Sequence, residues 1–160
     1  MLAQSLISES RPKSSVHARS NSEELLLALI GQVSIQLQSN LDARFRPLGV
    51  TAQEAALLLR CAEKSEISSG ELAAMMFRDK GGITRHLNRL AAKGMVHRSP
   101  NPRDRRLTMI RATARGRRLA PRCRDIFLKT RAGVLNDLFD VELHQVFAAL
   151  SRISAKLTDR

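Results

Sequence analysis

From Ser68 to Gly94 the chain reads SSGELAAMMFRDKGGITRHLNRLAAKG, and this stretch decides the fold. Ser68 with Glu71 three positions on is a capping box, in which each side chain satisfies the other residue's free amide at a helix start. It opens a short helix whose spacing assigns Leu72, Met75 and Met76 to the buried side. Phe77 and Arg78 make a turn, and Asp79 caps a second helix. On that helix Ile83, Leu87, Leu90 and Ala91 gather on one side. Gly81, Arg85, Asn88, Arg89 and Ala92 occupy the other, with Thr84 at its edge. Gly94 closes it as a residue suited to the left-handed conformation just past a helix end. A short helix, a tight turn and a second helix with a polar outer face constitute a helix-turn-helix.

Downstream, Met95–Arg98 and Arg106–Ala112 read as two strands. The residues between, from Ser99 to Asp104, are too polar and too rich in proline for anything but an exposed hairpin tip. A basic hairpin directly behind a helix-turn-helix makes it a winged one. Thr113 then caps a helix with the stripe Leu119, Cys123, Ile126, Phe127, Thr130 and Val134, which Pro121 is expected to kink or to delay. Asp140 caps a last helix that buries Leu143, Val146, Phe147, Leu150, Ile153 and Leu157. Upstream, Thr51 and Glu54 form a second capping box, opening a helix through Ala55, Leu58 and Leu59 toward Ala62. Before it, from Glu23, Leu26, Ile30, Val33, Leu37 and Leu41 recur at helical steps until Pro47 and Gly49 stop them. Residues 1–22 are Ser-rich without periodicity and read as a flexible leader. The expected fold is mainly α with a small β-hairpin wing, in one domain over 23–160.

Charge sharpens the reading. The 160 residues carry 27 Lys and Arg against 15 Asp and Glu, a net +12. Residues 1–50 hold five basic and four acidic residues, residues 51–100 eight and five, and residues 101–160 fourteen and six. Between Arg98 and Arg124 there are ten arginines and the single acid Asp104. A guanidinium donates two parallel hydrogen bonds to phosphates and base edges, so this concentration favours a nucleic-acid partner. Aromatic residues are 3% of the chain, with no Trp or Tyr, which argues for duplex grooves over stacked single strands.

Other classes find little support. Cys61 and Cys123 are too few for a disulfide-stapled scaffold, and both fall near apolar positions, where inert buried thiols are expected. The longest apolar run, Leu25–Ile30, falls far short of the roughly 20 residues a membrane span needs. Ser8, Glu9 and Ser10 interrupt any signal-like stretch, so a cytoplasmic location is expected. His17, His86, His97 and His144 are scattered, and no motif of a catalytic, metal or cofactor site appears. The expected protein is no enzyme.

The stretches Glu71–Ala74, Asp79–Leu90 and Lys93–Val96, with Asp104, Arg106, Thr113 and Gly116 following, resemble the multiple-antibiotic-resistance regulator (MarR) family of winged helix-turn-helix transcriptional regulators. The motif-rich match covers residues 68–116, and the flanking helices match the family's element order less specifically. The resemblance implies that Arg106 enters a minor groove while Asp104 orients the wing, and that Arg103 and Arg105 at the tip meet phosphates or the groove wall. It implies that Thr84 and Arg85 contact bases and phosphates in the major groove. Lys80, Gly81, Gly82 and Asn88 stand on the same recognition helix, as does Arg89, which is equally suited to an ion pair within the domain. It further implies dimerisation helices at 23–46 and 114–157 around a winged helix-turn-helix at 51–113. Their apolar residues, Leu26, Ile30, Val33, Phe127, Val146, Leu150, Ile153 and Leu157 among them, exceed what a small core covers. A homodimer then places two recognition helices roughly 34 Å apart on a pseudo-palindrome.

Relatives in that family bind small aromatic or phenolic acids; Arg44, Arg46 and Arg60 suit a carboxylate, but nothing singles them out. The peroxide-sensing cysteine–tyrosine arrangement of some members has no counterpart here. Arg115, Arg117 and Arg118 suit either phosphate contact or simple solvation of their helix. The reading is a sequence-specific double-stranded DNA-binding regulator, a homodimeric repressor released by a small-molecule effector of unidentified chemistry. Two alternatives stay open: a basic architectural protein that binds nucleic acid by charge alone, and an interaction module that has kept the fold without its DNA contacts.

Overall fold

The computed structural model describes residues 13–76, 80–104 and 106–158, the side chains of 13–20, Lys80 and Thr158 excepted. Residues 1–12 of the expected leader, the Phe77–Arg78 turn with its Asp79 cap, and Arg105 lie outside the described residues. By contact the chain divides into residues up to Asn40 and residues from Leu41 onward.

The first unit is helical. Helix α1 (Lys13–Phe45) begins well ahead of Glu23, so the latter part of the expected leader is helix. Apolar periodicity marks only the part that has something to bury, whereas an established helix adds further residues at little cost. Leu25, Leu26, Leu27, Leu29 and Val33 are all exposed, and Ile30 is half-buried.

The second unit holds the core. Pro47 opens a single 3-10 turn (Arg46–Leu48), and Gly49 follows it at φ 70°, a conformation that L side chains rarely adopt. Thr51 then starts α2 (Ala52–Glu63) with both bonds of the capping box formed. Asp42 adds a third tie, accepting the Ala52 amide at 2.7 Å. The second capping box, Ser68 with Glu71, starts α3 (Ser69–Met75) as expected. The Ser68 amide and hydroxyl, with Lys64 nearby, hold the Glu71 carboxyl below its ordinary range. Helix α4 (Lys80–Ala92) follows, then β2 (Val96–Pro100), β3 (Thr108–Ala112), α5 (Ala114–Leu135) and α6 (Asp140–Thr158).

The hairpin is part of a larger sheet than expected. Residues Ile67–Ser68 form β1, which pairs antiparallel with β3, so the order is β1-β3-β2 with β3 in the centre. Two residues are too few for any periodicity to announce a strand. The helix faces also differ in detail. In α3 the buried residues are Leu72 and Ala73, while Met75 is exposed and Met76 half-buried, a correction to the expected Met75 contact. Asp140 is the first residue of α6 rather than its cap. Glu142 supplies the capping bond instead, accepting the Phe139 amide at 2.8 Å. The apolar residues Val146, Phe147, Leu150 and Leu157, expected to be buried, are exposed in the single chain, Phe147 and Leu157 at 74%.

Phe45, Leu57, Leu58, Ile67, Leu72, Ile83, Leu87, Leu90 and Ile110 fill the centre of the core. Phe127 packs against it from α5, its ring centroid 4.9 Å from that of Phe45. Helix α5 continues through Pro121. Cys61 and Cys123 are free, buried thiols. Burial pushes the Cys61 thiol up to about 12, and it raises that of Cys123 despite the nearby Arg122 charge.

One junction joins recognition helix, sheet and α5. Gly94 stands at φ 66°, its amide donating to Ala91 O at 2.9 Å while the Met95 amide donates to Leu90 O at 2.9 Å. This is a Schellman closure of α4. The Met95 carbonyl then accepts the Thr113 amide at 3.0 Å. The Thr113 hydroxyl donates to Gly94 O at 2.8 Å and accepts the Gly116 amide at 3.1 Å, capping α5. A Cβ on Gly116 would lie 2.1 Å from Met95 O, so the first turn of α5 seats against this backbone only because residue 116 has no side chain.

Two outcomes follow from this packing. Gly116→Ala should destabilise the fold by about 2–4 kcal/mol in urea unfolding, more than the roughly 1 kcal/mol expected for Thr113→Ala. Both cysteines should resist a thiol reagent such as DTNB at pH 8 in the native protein and react fully once it is unfolded. Fast reaction of the native chain would contradict their placement.

Candidate nucleic-acid interface

The candidate surface comprises the outer face of α4 and the tip of the β2–β3 hairpin. Helix α4 turns Ile83, Leu87 and Leu90 into the core, which aims Gly81, Arg85, Asn88 and Arg89 outward, all exposed, with Thr84 half-buried at the edge. Gly82 is buried beside Ile83, so the structure does not bring it to the outer face. Lys80 begins the helix.

The helix is fixed by two polar ties. At its C-terminal end Lys93 reaches back to α2, its Nζ 2.6 Å from Glu54 Oε2. Glu54 is fully buried, and the same oxygen accepts the Thr51 amide at 3.1 Å. Removing Lys93 leaves the Glu54 carboxylate buried without its countercharge, whereas Lys93, about a third exposed, keeps access to water if Glu54 is removed. Midway along the helix, Asn88 Oδ1 accepts a hydrogen bond from Arg98 Nη1 on β2.

The hairpin tip is built by two side chains acting as local caps. Asn101 Oδ1 accepts the Arg103 amide at 2.8 Å and lies 3.4 Å from the Asp104 amide. Asp104 Oδ1 accepts the Arg106 amide at 3.0 Å, and the Leu107 amide closes on Asp104 O at 3.0 Å. Asx side chains that bond the backbone two residues on impose a turn without any core contact. The turn leaves Arg103 and Arg106 exposed, with their backbones held. Sequence reading identified Asp104 but missed Asn101, although an Asn two residues before the tip arginine carries the same signature. Arg98 and the Glu54–Lys93 tie were missed as well, since both join residues that no local period relates.

Beyond the hairpin the outer face stays basic. His97 and Arg111 pair across the strands and are exposed, as are Arg115, Arg117 and Arg118 on the first turns of α5. On another side, α2 and α5 bound a cleft of about 480 Å³. Leu59, Met76 and Phe127 line it together with Arg60, Arg124 and Arg131. Glu63 bridges two of these arginines, at 3.1 Å to Arg60 and 3.0 Å to Arg124. Partial desolvation works to raise its carboxyl, but the hydrogen bonds and charges of the two arginines hold it below the ordinary range. Arg44 and Arg46 are exposed and do not line this cleft. Among the described residues there is no group of three or more His, Cys, Asp or Glu that would hold a metal, and no helix long and apolar enough to cross a membrane.

Comparison with known proteins agrees with this geometry. Residues 48–107 match the model of the MarR family. The chain is 34% identical over 100 residues to the multiple antibiotic resistance protein MarR of Escherichia coli (strain K12), covering 61% of this chain and 68% of that protein. Its fold superimposes on a cysteine-to-serine variant of MarR from E. coli complexed with operator DNA, with TM-score 0.70 and 29% identity. That match covers 83% of this chain and 96% of the other. The transcriptional regulator SlyA shares the fold at TM-score 0.73 and 23% identity, over 84% of this chain and 94% of SlyA. With α3 and α4 followed by the Asp104-braced wing, and with this degree of identity, the chain belongs to the MarR family of winged helix-turn-helix transcriptional regulators.

Proposed function

We propose that this regulator binds double-stranded DNA sequence-specifically as a homodimer and represses transcription from a pseudo-palindromic operator. The observation that carries the reading is the wing: a carboxylate, Asp104, bonded to the amide of Arg106 so that an exposed guanidinium is presented on a fixed backbone, on a chain whose α4 carries Arg85 exposed and Thr84 half-buried at the edge of the same face. Arg106 suits a narrow A·T-rich minor groove, whose negative potential favours a guanidinium. Thr84 and Arg85 are the base and phosphate readers of the major groove, assisted by Lys80, Gly81 and Arg89. Arg103 and Arg105 meet phosphates beside the wing.

The homodimer is supported by apolar surface that one chain leaves uncovered. Leu26 and Val33 on α1 are exposed, as are Val146, Leu150 and Leu157 on α6, with Ile30 and Ile153 half-buried. Large apolar groups exposed in such number on a helix are typical of a surface that another chain covers. Phe127, expected at the same interface, is half-buried and already packs on Phe45 of its own chain, so its part in dimerisation is at most an edge contact. The effector is an organic anion with an apolar body, suited to the Leu59 and Phe127 side chains and the Arg60, Arg124 and Arg131 rim of the α2–α5 cleft.

Selection of binding sites from a random duplex pool tests the reading. A two-fold symmetric motif should be enriched and bound roughly 10³-fold or more tightly than random duplex at fixed salt. Equal affinity for both would instead support binding by charge alone. On the selected site, Arg106→Ala should weaken binding most where A·T pairs flank the motif. Arg85→Ala should relax base preference at a cost of about 1–3 kcal/mol. Light scattering should give twice the chain mass, and Leu150→Asp should give monomers that lose the operator but keep the helical circular dichroism signal.

A further inference from the structure

We infer that Asn88, although it stands on the outer face of the recognition helix, reads no base: it receives Arg98, and the pair positions α4 against the wing strand. The inference rests on the proposed operator binding and refines which residues of that surface touch DNA. Arg98 lies on β2 directly opposite Ile110 of the central strand, and Ile110 is fully buried and also pairs with Ile67 of β1. Arg98 therefore stands midway along β2, paired to the central strand, and not in the hairpin tip. Its side chain is half-buried, and its Nε is buried without a hydrogen-bond partner among the described residues. A guanidinium seated this way has given up part of its hydration, so its remaining bond, from Nη1 to Asn88 Oδ1, is the more consequential.

The amide chemistry of Asn88 points the same way. An asparagine that reads adenine accepts from N6 with its oxygen while donating to N7 with its nitrogen. With Oδ1 turned to Arg98, Asn88 does not present that pair to a groove. The neighbouring Arg85 and Arg89 are exposed and free to point outward along the same face. The hairpin that Arg98 belongs to also carries Arg106, so a shift of β2 against α4 alters the spacing between the groove-reading helix and the wing arginine. The Asn88–Arg98 pair fixes that spacing.

A double-mutant cycle tests this on the full-length protein. Wild type, Asn88→Ala, Arg98→Ala and the double variant are titrated with the selected duplex and with every single-base variant of it, and their urea midpoints are measured. The pair predicts that each single change weakens binding by a similar factor, roughly 3- to 10-fold, and that the double change is no worse than either. Preference among the single-base variants should be unchanged. Asn88→Asp keeps an acceptor for Arg98 but cannot donate to a base; it should retain the wild-type base preference and a midpoint at or above wild type. A change of preference at one base pair in Asn88→Ala or Asn88→Asp, or additive losses in the double variant, would overturn the inference. Should Arg98→Ala fail to fold, the Asn88→Asp preference decides alone. Should wild type show no sequence preference, the operator reading fails first. The cycle on urea midpoints then decides the pair: non-additive losses support it, and additive losses sink it.

Discussion

The Met95 carbonyl is where the architecture is held together. It accepts the Thr113 amide and faces the bare Cα of Gly116, so the end of the recognition helix, the start of the wing and the first turn of α5 meet around one oxygen. The left-handed Gly94 turns the chain into this position, and the Thr113 hydroxyl ties the same backbone to the cap of α5. Each of these residues has a local reason for its identity: a positive φ, a side-chain cap, a missing Cβ. Together they fix how the hairpin leaves α4, and hence where the arginines of the wing stand relative to Thr84 and Arg85.

Much of this was legible in the sequence because it is local chemistry. Both capping boxes, the Gly94 terminus and the Asx bond of Asp104 act over five residues or fewer, and each is written in residue types at fixed offsets. The helices of the core were legible through period, since Ile83, Leu87 and Leu90 can share a face in only one way. What periodicity could not supply is what depends on distant partners. Lys93 and Glu54 are 39 residues apart, and nothing near either announces a buried ion pair. Strand β1 is two residues of backbone pairing that exist because β3 is there to receive them. Met75 shows the same limit in reverse: its spacing suits a buried position, but a seven-residue helix has room to bury only Leu72 and Ala73 fully. The candidate site divides along the same line. Arg85 and Arg106 are readable from type and position, whereas the engagement of Asn88 by Arg98 and the burial of Gly82 are tertiary facts.

The positive charge takes on structure in the same way. A net +12 says only that a polyanion is a natural partner. Fixed on a braced hairpin, the arginines become a shape with a spacing, which distinguishes reading a duplex from coating one. The exposed leucines and valines of α1 and α6, with Phe147, complement this in the proposed homodimer, because a second chain that covered them would also supply the second copy of the shape. In the proposed homodimer, residues that make the protein basic and residues that make it apolar thus serve one two-fold arrangement.

A hydroxyl-radical footprint on both strands of a selected duplex tests that arrangement most directly. The account predicts protection related by a two-fold axis: two major-groove patches about one helical turn apart, each flanked by a protected minor groove at A·T pairs, with the minor-groove protection lost in Arg106→Ala. Uniform protection along the duplex, or an asymmetric single patch that survives Arg106→Ala, would contradict it.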